Sequence, residues 1–358
     1  MRACVLIIFC AALSFAAYRP YDYVLSGSRS TGMGAAGTTL LASPESVIYN
    51  PAALSRISWG EFFYEALAVV RIQRLATYSY DVRFDYVYFT GATIPVPDTS
   101  LTFAVSVSTL FSENERPGIA DKGRWLTFKE IGFSAAFSPL PTLALGITVG
   151  PVIGLDNGTI AVSGVVHAGM LANPLPPWLI GLSFTSPIPI SWASYYGSVR
   201  VEEVLPYSVR LGNSCFITPD IGLYLDLEFQ GWHAASFTAD GVVNRIDNRG
   251  EVIAFAKTFH PHIGVEFYDR NAIANNLGGG VWRFGFFTRS SFTASGDSES
   301  RYMLTFGTTV FAGKFIRFSA SMNDSFLLGQ LINPSVTAIE ELRVTIEINL
   351  GILSGKSA

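Results

Sequence analysis

Apolar and polar residues alternate one for one along Ile221–Gln230. Ile221, Leu223, Leu225, Leu227 and Phe229 form one set, and Gly222, Tyr224, Asp226, Glu228 and Gln230 the other. A period of two puts the sets on opposite faces of an extended strand, one oily and one polar. The pattern recurs over 143–151, 314–323 and 343–350, and more weakly over 60–70, 83–94, 101–110, 128–137, 159–169, 178–186, 206–216, 262–270, 281–290 and 301–311. Fourteen strands are predicted.

The connections between these strands fall into two classes. Those at 95–100, 138–142, 170–177, 217–220, 271–280 and 312–313 are short and rich in Pro, Gly, Asn and Asp. The interleaved ones at 71–82, 111–127, 187–205, 231–261 and 324–342 are longer and carry much of the charge, with shorter partners at 153–158 and 291–300. This long-short alternation with an even strand number predicts a 14-stranded antiparallel transmembrane β-barrel of the outer-membrane kind. A soluble β-sandwich is the competing architecture, but it does not need that alternation.

Composition sharpens the choice. Of 358 residues, 49% are hydrophobic and only 15% charged, which is too apolar for a disordered chain and places a bilayer in play. Two stretches lack Asp, Glu, Lys and Arg, 131–155 and 157–199, and could pass for membrane helices. Pro139, Pro141 and Pro151 cut the first, and Pro174, Pro176, Pro177, Pro187 and Pro189 the second. Each proline removes a backbone donor that hydrocarbon cannot replace, so these are strands. Charges on strands should face inward, because an Arg or Lys facing lipid costs about 2 to 4 kcal/mol at the midplane. By parity Glu130, Arg210, Asp226, Glu228, Glu266, Arg283, Arg289, Arg317, Arg343 and Glu347 all lie opposite the apolar set. This balance of signs predicts a salt-bridged interior around a plug rather than a single-sign ion filter.

The net charge of -4 leaves no basic footprint for nucleic acid. Cys4 and Cys10 lie in the leader and only Cys215 in the body, so no intrachain disulfide is expected in the mature protein. Residues 1–16 combine Arg2, an apolar run and a small-residue end, and are read as a secretory signal peptide. The barrel is assigned to 60–358. Between them, 17–59 contains a small-residue stretch, SGSRSTGMGAAGTTLLASPESVIYNPAAL, with no period-two face. It is predicted to be a hatch folded inside the barrel.

At these residues the chain resembles the FadL-type outer-membrane transport family, whose members open with a Gly-x-Gly-x-Ala segment and an Asn-Pro-Ala motif. Here these are Gly32-Met33-Gly34-Ala35-Ala36 and Asn50-Pro51-Ala52, with Ser43-Pro44-Glu45-Ser46 where the family usually carries an acidic pair. The local match covers about thirty residues, and its length brings the chain nearest to short FadL-like members described in spirochaetes. The resemblance implies a hatch inside a 14-stranded barrel in the bacterial cell outer membrane. It also implies capture of hydrophobic molecules by extracellular loops and release sideways through the wall. Gly32, Gly34, Asn50, Pro51 and Ala52 are then the hatch and gating residues.

For capture, the outer connections are informative because they carry apolar residues: Ile188, Ile190, Trp192, Tyr195 and Tyr196 in one, Phe326, Leu327, Leu328, Leu331 and Ile332 in another. The segment 324–331 could form a short amphipathic helix. Arg283 and Arg289, with Arg210 and Arg317, are candidates for a carboxylate head group. Equally, the apolar residues could pack the loops on one another, and the arginines could belong to the ion-pair network. His260 and His262, with His233, are read as loop histidines, and a metal site there is the weaker reading. HExxH, GxSxG, Walker and CxxC motifs are absent, so neither an enzyme nor a cofactor is expected. The leading reading is transport of hydrophobic small molecules such as long-chain fatty acids, in contact with outer-membrane lipid and as a monomer. The alternative is a non-transporting scaffold, adhesin or secretion-shuttle barrel whose loops bind protein.

Overall fold

The computed structural model describes residues 22–23, 26–40, 43–75, 77–113, 126–156, 159–195, 199–231, 236–239, 242–243, 258–269, 277–292, 298–312, 315–325 and 338–349. The expected signal segment lies outside the described residues. Fourteen antiparallel strands form the wall: β1 (Glu61–Leu75), β2 (Thr77–Pro95), β3 (Thr102–Glu113), β4 (Leu126–Leu140), β5 (Leu143–Asp156), β6 (Thr159–Leu175), β7 (Trp178–Thr185), β8 (Ser208–Thr218), β9 (Ile221–Gln230), β10 (Thr258–Tyr268), β11 (Leu277–Phe292), β12 (Ser298–Ala312), β13 (Ile316–Asp324) and β14 (Ala338–Asn349). Each pairs with its neighbours in sequence, and β14 pairs with β1 to close the ring. Every one of the fourteen segments expected from alternation overlaps one of these strands.

The faces are inverted relative to a soluble protein. In β9, Leu223, Leu225 and Leu227 point out and are 42%, 53% and 47% exposed, while Tyr224, Asp226 and Glu228 point inward and are buried. The same inversion places Phe133, Ile147, Val149, Leu211, Ile263, Phe284 and Val344 on the outside, which a lipid environment accepts and water does not. Inside, Glu130, Arg210, Asp226, Glu228, Glu266, Arg283, Arg343 and Glu347 are buried, as parity required.

One end of the barrel is joined by the short connections and receives both the start of β1 and the end of β14. The other end departs from the expected loop lengths. The connection expected at 71–82 is a single residue, because β1 runs to Leu75 and β2 starts at Thr77. The stretch had been assigned to the longer, charge-bearing connections, but a strand that extends past the lipid band carries charge without penalty. The connection at 187–205 also folds, into strands Ile188–Tyr195 and Val199–Leu205, which join Ser236–Ala239 and Val242–Val243 in a separate four-stranded sheet.

The wall is not laddered to its full height at this loop end. Between β6 and β7 the last rung is His167 with Thr185, followed only by Ser186 N–H donating to Val166 O at 2.9 Å and Val166 N–H to Ser186 Oγ at 3.1 Å. Pro187 and Pro189 come next and have no N–H to continue. The β2–β3 ladder likewise ends at Phe89 with Ser108, and the freed edge of β3 pairs with a two-residue strand, Asp22–Tyr23. We expect Leu225→Arg, which puts a cation on the lipid face, to cost about 2 to 4 kcal/mol in reversible unfolding from lipid vesicles.

Candidate functional site

The N-terminal segment fills the lumen. It consists of α1 (Ser28–Gly32), a turn through Met33–Gly37, α2 (Ser46–Tyr49) and a 3-10 turn, Pro51–Arg56. Asn50 is extended, at φ -161° and ψ 97°, and caps the 3-10 turn by accepting from Ala52 N–H at 3.1 Å, with Pro51 at the first turn position. Its Nδ2 donates to Thr38 O at 2.8 Å and to Met170 O of β6 at 3.0 Å. The Asn-Pro-Ala motif therefore shapes the segment and fastens it to the wall with the same side chain.

Along β5–β8 and β10–β12, the wall meets the segment with glycine. Gly146, Gly169, Gly181, Gly212, Gly264, Gly285 and Gly307 supply one inward position each on β5, β6, β7, β8, β10, β11 and β12. A Cβ added at any of them would lie within 3.0 Å of segment atoms. At Gly285 it would meet Gly34 N at 2.1 Å, and at Gly146 it would meet Pro51 C at 2.3 Å. Gly34 itself sits at φ +65°, and its N–H donates to Thr305 Oγ1 at 2.9 Å. This near-continuous belt of inward glycines was legible as parity, but only once the segment's position is known does it have a meaning.

Charge pairs complete the seat. Arg29 of α1 makes a bidentate pair with Glu266, with Nε to Oε1 at 3.0 Å and Nη2 to Oε2 at 2.9 Å. Arg283 donates to the same carboxylate at 2.8 Å and to Thr309. Tyr224 and Tyr268 hydroxyls also donate to Glu266. Asp226 accepts Thr38 N–H at 2.8 Å, Arg210 donates to Glu228 at 2.8 Å, and His262 Nδ1–H donates to Gly34 O at 2.9 Å. On the opposite wall, Glu65 accepts Gly27 N–H at 3.1 Å and Thr345 hydroxyl at 2.8 Å, while Arg317 bridges Glu61 and Glu347. His260 and His262, expected in a loop, lie on β10 with buried side chains. No cluster of metal-ligand type occurs among the described residues. The expected loop partner, His233, lies outside them.

Glu45 belongs to the segment itself, directly before α2. Its carboxylate accepts Arg29 N–H at 2.9 Å and Ser30 N–H at 2.8 Å, covering the first turn of α1. Burial, and then the charges of Glu65 and Glu347, push this carboxyl up to about 7. A raised acid stabilises the folded seat while protonated, so that contribution is complete below about 4.5 and is lost as pH rises through about 7. Hydrogen exchange of the α1 amides, corrected for intrinsic rates, should show protection falling across that window in the wild type and flat in Glu45→Gln. Separately, Gly285→Val should unseat the segment while leaving the barrel formed, read as protease cleavage within 26–57 alongside unchanged heat-modifiable migration.

Above the segment, at the loop end, lies an apolar cluster. Leu110, Phe128, Val152, Ala161 and Val165 point inward from β3, β4, β5 and β6, and Ile188, Ile190, Trp192 and Leu205 of the outer sheet pack on them. Trp192 is fully buried, 6.0 Å from Phe128 between ring centroids. Beneath it, Glu130 and His167 pair at 3.0 Å, with His167 Nδ1 also 3.0 Å from Thr185 Oγ1. Of the expected capture residues, Trp192, Ile188 and Ile190 are thus inside this cluster rather than on a loop surface. Tyr195 ends the strand Ile188–Tyr195, and its side chain is outside the described residues, as are Tyr196, Phe326, Leu327, Leu328, Leu331 and Ile332 and the helix expected at 324–331. Arg283 is held by Glu266, and Arg289 lies 5.4 Å from the centre of the Phe287 ring. Glu61 and Glu65 had not been singled out, since 60–70 alternates weakly, and Glu45 was marked only as part of Ser43-Pro44-Glu45-Ser46, since the segment has no periodicity to give it a direction.

Comparison with known proteins supports the architecture. No family model and no curated protein matches the sequence. Solved structures do match over nearly the full length. The toluene transporter TbuX of Ralstonia pickettii is 15% identical with a TM-score of 0.65, covering 90% of this chain and 98% of its own. A FadL homologue of Pseudomonas aeruginosa is 10% identical with a TM-score of 0.68, covering 92% and 100%. The toluene transporter TodX of Pseudomonas putida is 12% identical with a TM-score of 0.66, covering 92% and 98%. The chain therefore has the fold of the FadL-type transport barrels.

Proposed function

We propose that this chain is an outer-membrane transport protein for hydrophobic small molecules, with the loop end facing the outside of the cell and the short-turn end the periplasm. The observation that carries this reading is the order of layers along the lumen: an apolar cluster roofed by Trp192 lies outermost, and a polar, hydrogen-bonded plug lies directly beneath it. An apolar solute gains about 25 cal/mol per Å² on leaving water for such a cluster, without needing precise polar contacts. The fold shared with toluene transporters and a FadL homologue points to the same class of cargo. Within that class, long-chain fatty acids and aromatic hydrocarbons are both served by an apolar cluster of this kind. The pairing of Arg283 and Arg210 with wall carboxylates favours cargo that needs no cationic partner.

The hatch acts as the gate in this reading, with Gly32, Gly34, Asn50, Pro51 and Ala52 as its fastening points. Trp192 forms the roof of the capture site. Vesicles carrying the wild type should take up labelled toluene or oleate faster than empty vesicles. Trp192→Ala should reduce that uptake at least several-fold while leaving the barrel heat-modifiable. Equal uptake by empty and loaded vesicles would overturn transport and leave a protein-binding barrel as the better account.

A further inference from the structure

Thr185 pairs with Ser208 at the loop end of β7 and β8, and beyond it Ile188 pairs with Leu205 in the same antiparallel register. The outer strands 188–195 and 199–205 therefore continue the β7–β8 hairpin, interrupted where Pro187 faces Pro206. Neither proline has an N–H, so this pair makes no ladder bond and both legs of the hairpin break at one level. Just below, Ser186 N–H donates to Val166 O and Gly231 N–H to Tyr207 O, each at 2.9 Å, and tie the two legs to the wall. Above, among the described residues, 188–195, 199–205, 236–239 and 242–243 form a sheet that shares no rung with the barrel. Side chains hold it down, with Ile188, Ile190 and Trp192 buried against the wall and the Ser163 hydroxyl donating to Pro189 O. Pro187, Pro189 and Ser191 face away and are exposed.

The wall beneath Trp192 is shaped to receive it. Phe128 of β4, Gly154 of β5 and Ala161 of β6 stand side by side on one rung, at inward positions. A large side chain, none and a small one in a row make a notch, with Phe128 as its side and Gly154 as its floor. A Cβ on Gly154 would lie 2.8 Å from Phe128 Cε1 and 2.9 Å from Trp192 Cη2, so the far edge of the indole rests on glycine backbone. The indole is fully buried there, yet it is delivered by a sheet that hangs from two prolines. Exchanging it for another aromatic ring leaves the apolar area removed from water nearly unchanged, so the notch is packed in either state. A flat ring fits between Phe128 and the glycine floor, whereas a saturated ring of equal carbon count is thicker and overpacks the site.

We infer that the hairpin above Pro187 and Pro206 is a lid, that Trp192 is the stopper it seats, and that the notch takes one uncharged aromatic ring of the cargo when the indole withdraws. This narrows the transport reading to aromatic cargo and rests on it for its purpose, but binding is measurable without transport. Return of the indole expels the ring, so loss of Trp192 should strengthen binding while slowing passage. A tryptophan that only roofs the site would weaken both together.

The test is saturable binding of labelled toluene to the full chain in nanodiscs, corrected for empty nanodiscs. Trp192→Gly should bind toluene at least tenfold more tightly than the wild type, which must first displace its own indole, and free indole should compete. Methylcyclohexane should compete at least tenfold less well, and adding Gly154→Ala, which raises the floor, should weaken toluene binding by a similar factor. In wild-type protein carrying 5-fluorotryptophan, toluene should shift the Trp192 fluorine resonance, assigned with Trp192→Phe, to a solvent-exposed position, and oleate should leave it in place. This second measurement uses the native sequence and so stands whether or not the glycine variant folds. Toluene binding no tighter in Trp192→Gly, or toluene bound to the wild type with the Trp192 resonance unmoved, overturns the stopper. Displacement by oleate as readily as by toluene overturns the aromatic notch. Binding and displacement as expected with no uptake by vesicles would keep the stopper and remove the transport reading.

Discussion

The structure depends on one constraint: a closed sheet in lipid must turn its polar side inward, and that side then has to be satisfied without bulk water. The wall alone cannot meet it. Glu266, Asp226, Glu65 and Thr305 point into the lumen with their hydrogen-bonding capacity only partly used by neighbouring strands, and the N-terminal segment supplies the missing partners through Arg29, Thr38 N–H, Gly27 N–H and Gly34 N–H. A buried charge with one partner removed costs several kcal/mol, so wall and segment are energetically one body. The glycine belt belongs to the same solution, because backbone donors reach wall acceptors only if no Cβ stands between them.

The charges fall into two groups, one on each side of the segment. Arg29, Arg283 and Glu266, with Arg210 and Glu228, tie α1 and the following turn to β8–β11. Glu65, Arg343, Glu61, Arg317 and Glu347 form the other group on β1, β13 and β14, beside Glu45. On that second side the segment also meets side chains rather than glycine: Val47, Leu54 and Ile57 pack on Phe63, Leu67, Tyr88 and Phe89. Side-chain packing of this kind can slip and reform, whereas backbone seated against glycine has a single fit.

Most of the wall was legible in the sequence because a lipid-facing strand leaves a period-two signature wherever one face is oil and the other polar, as in β9, β13 and β14. Inward charges followed from the same parity. Two kinds of feature were not legible. Strands that rise beyond the lipid band, such as 71–75 and 77–82, carry charge like loops. The segment inside the lumen has no periodicity at all, since it is surrounded by protein on every side. The resemblance at Gly32–Ala36 and Asn50–Ala52 pointed to it, yet could not show that Glu45 caps α1 or that Asn50 reaches β6. Trp192 was marked as a loop residue for capture, and nothing local in the sequence shows that Pro187 and Pro189 turn its strand inward.

The glycine belt also bears on the register of the wall. Segment atoms lie between 2.0 and 3.0 Å from where a Cβ would stand at seven inward glycines, one each on β5, β6, β7, β8, β10, β11 and β12. A slip of any of these strands by one residue would turn its glycine outward and set a side chain where only glycine has room. The plug is in that sense a gauge for the barrel, against which seven of the fourteen strands can be read for position.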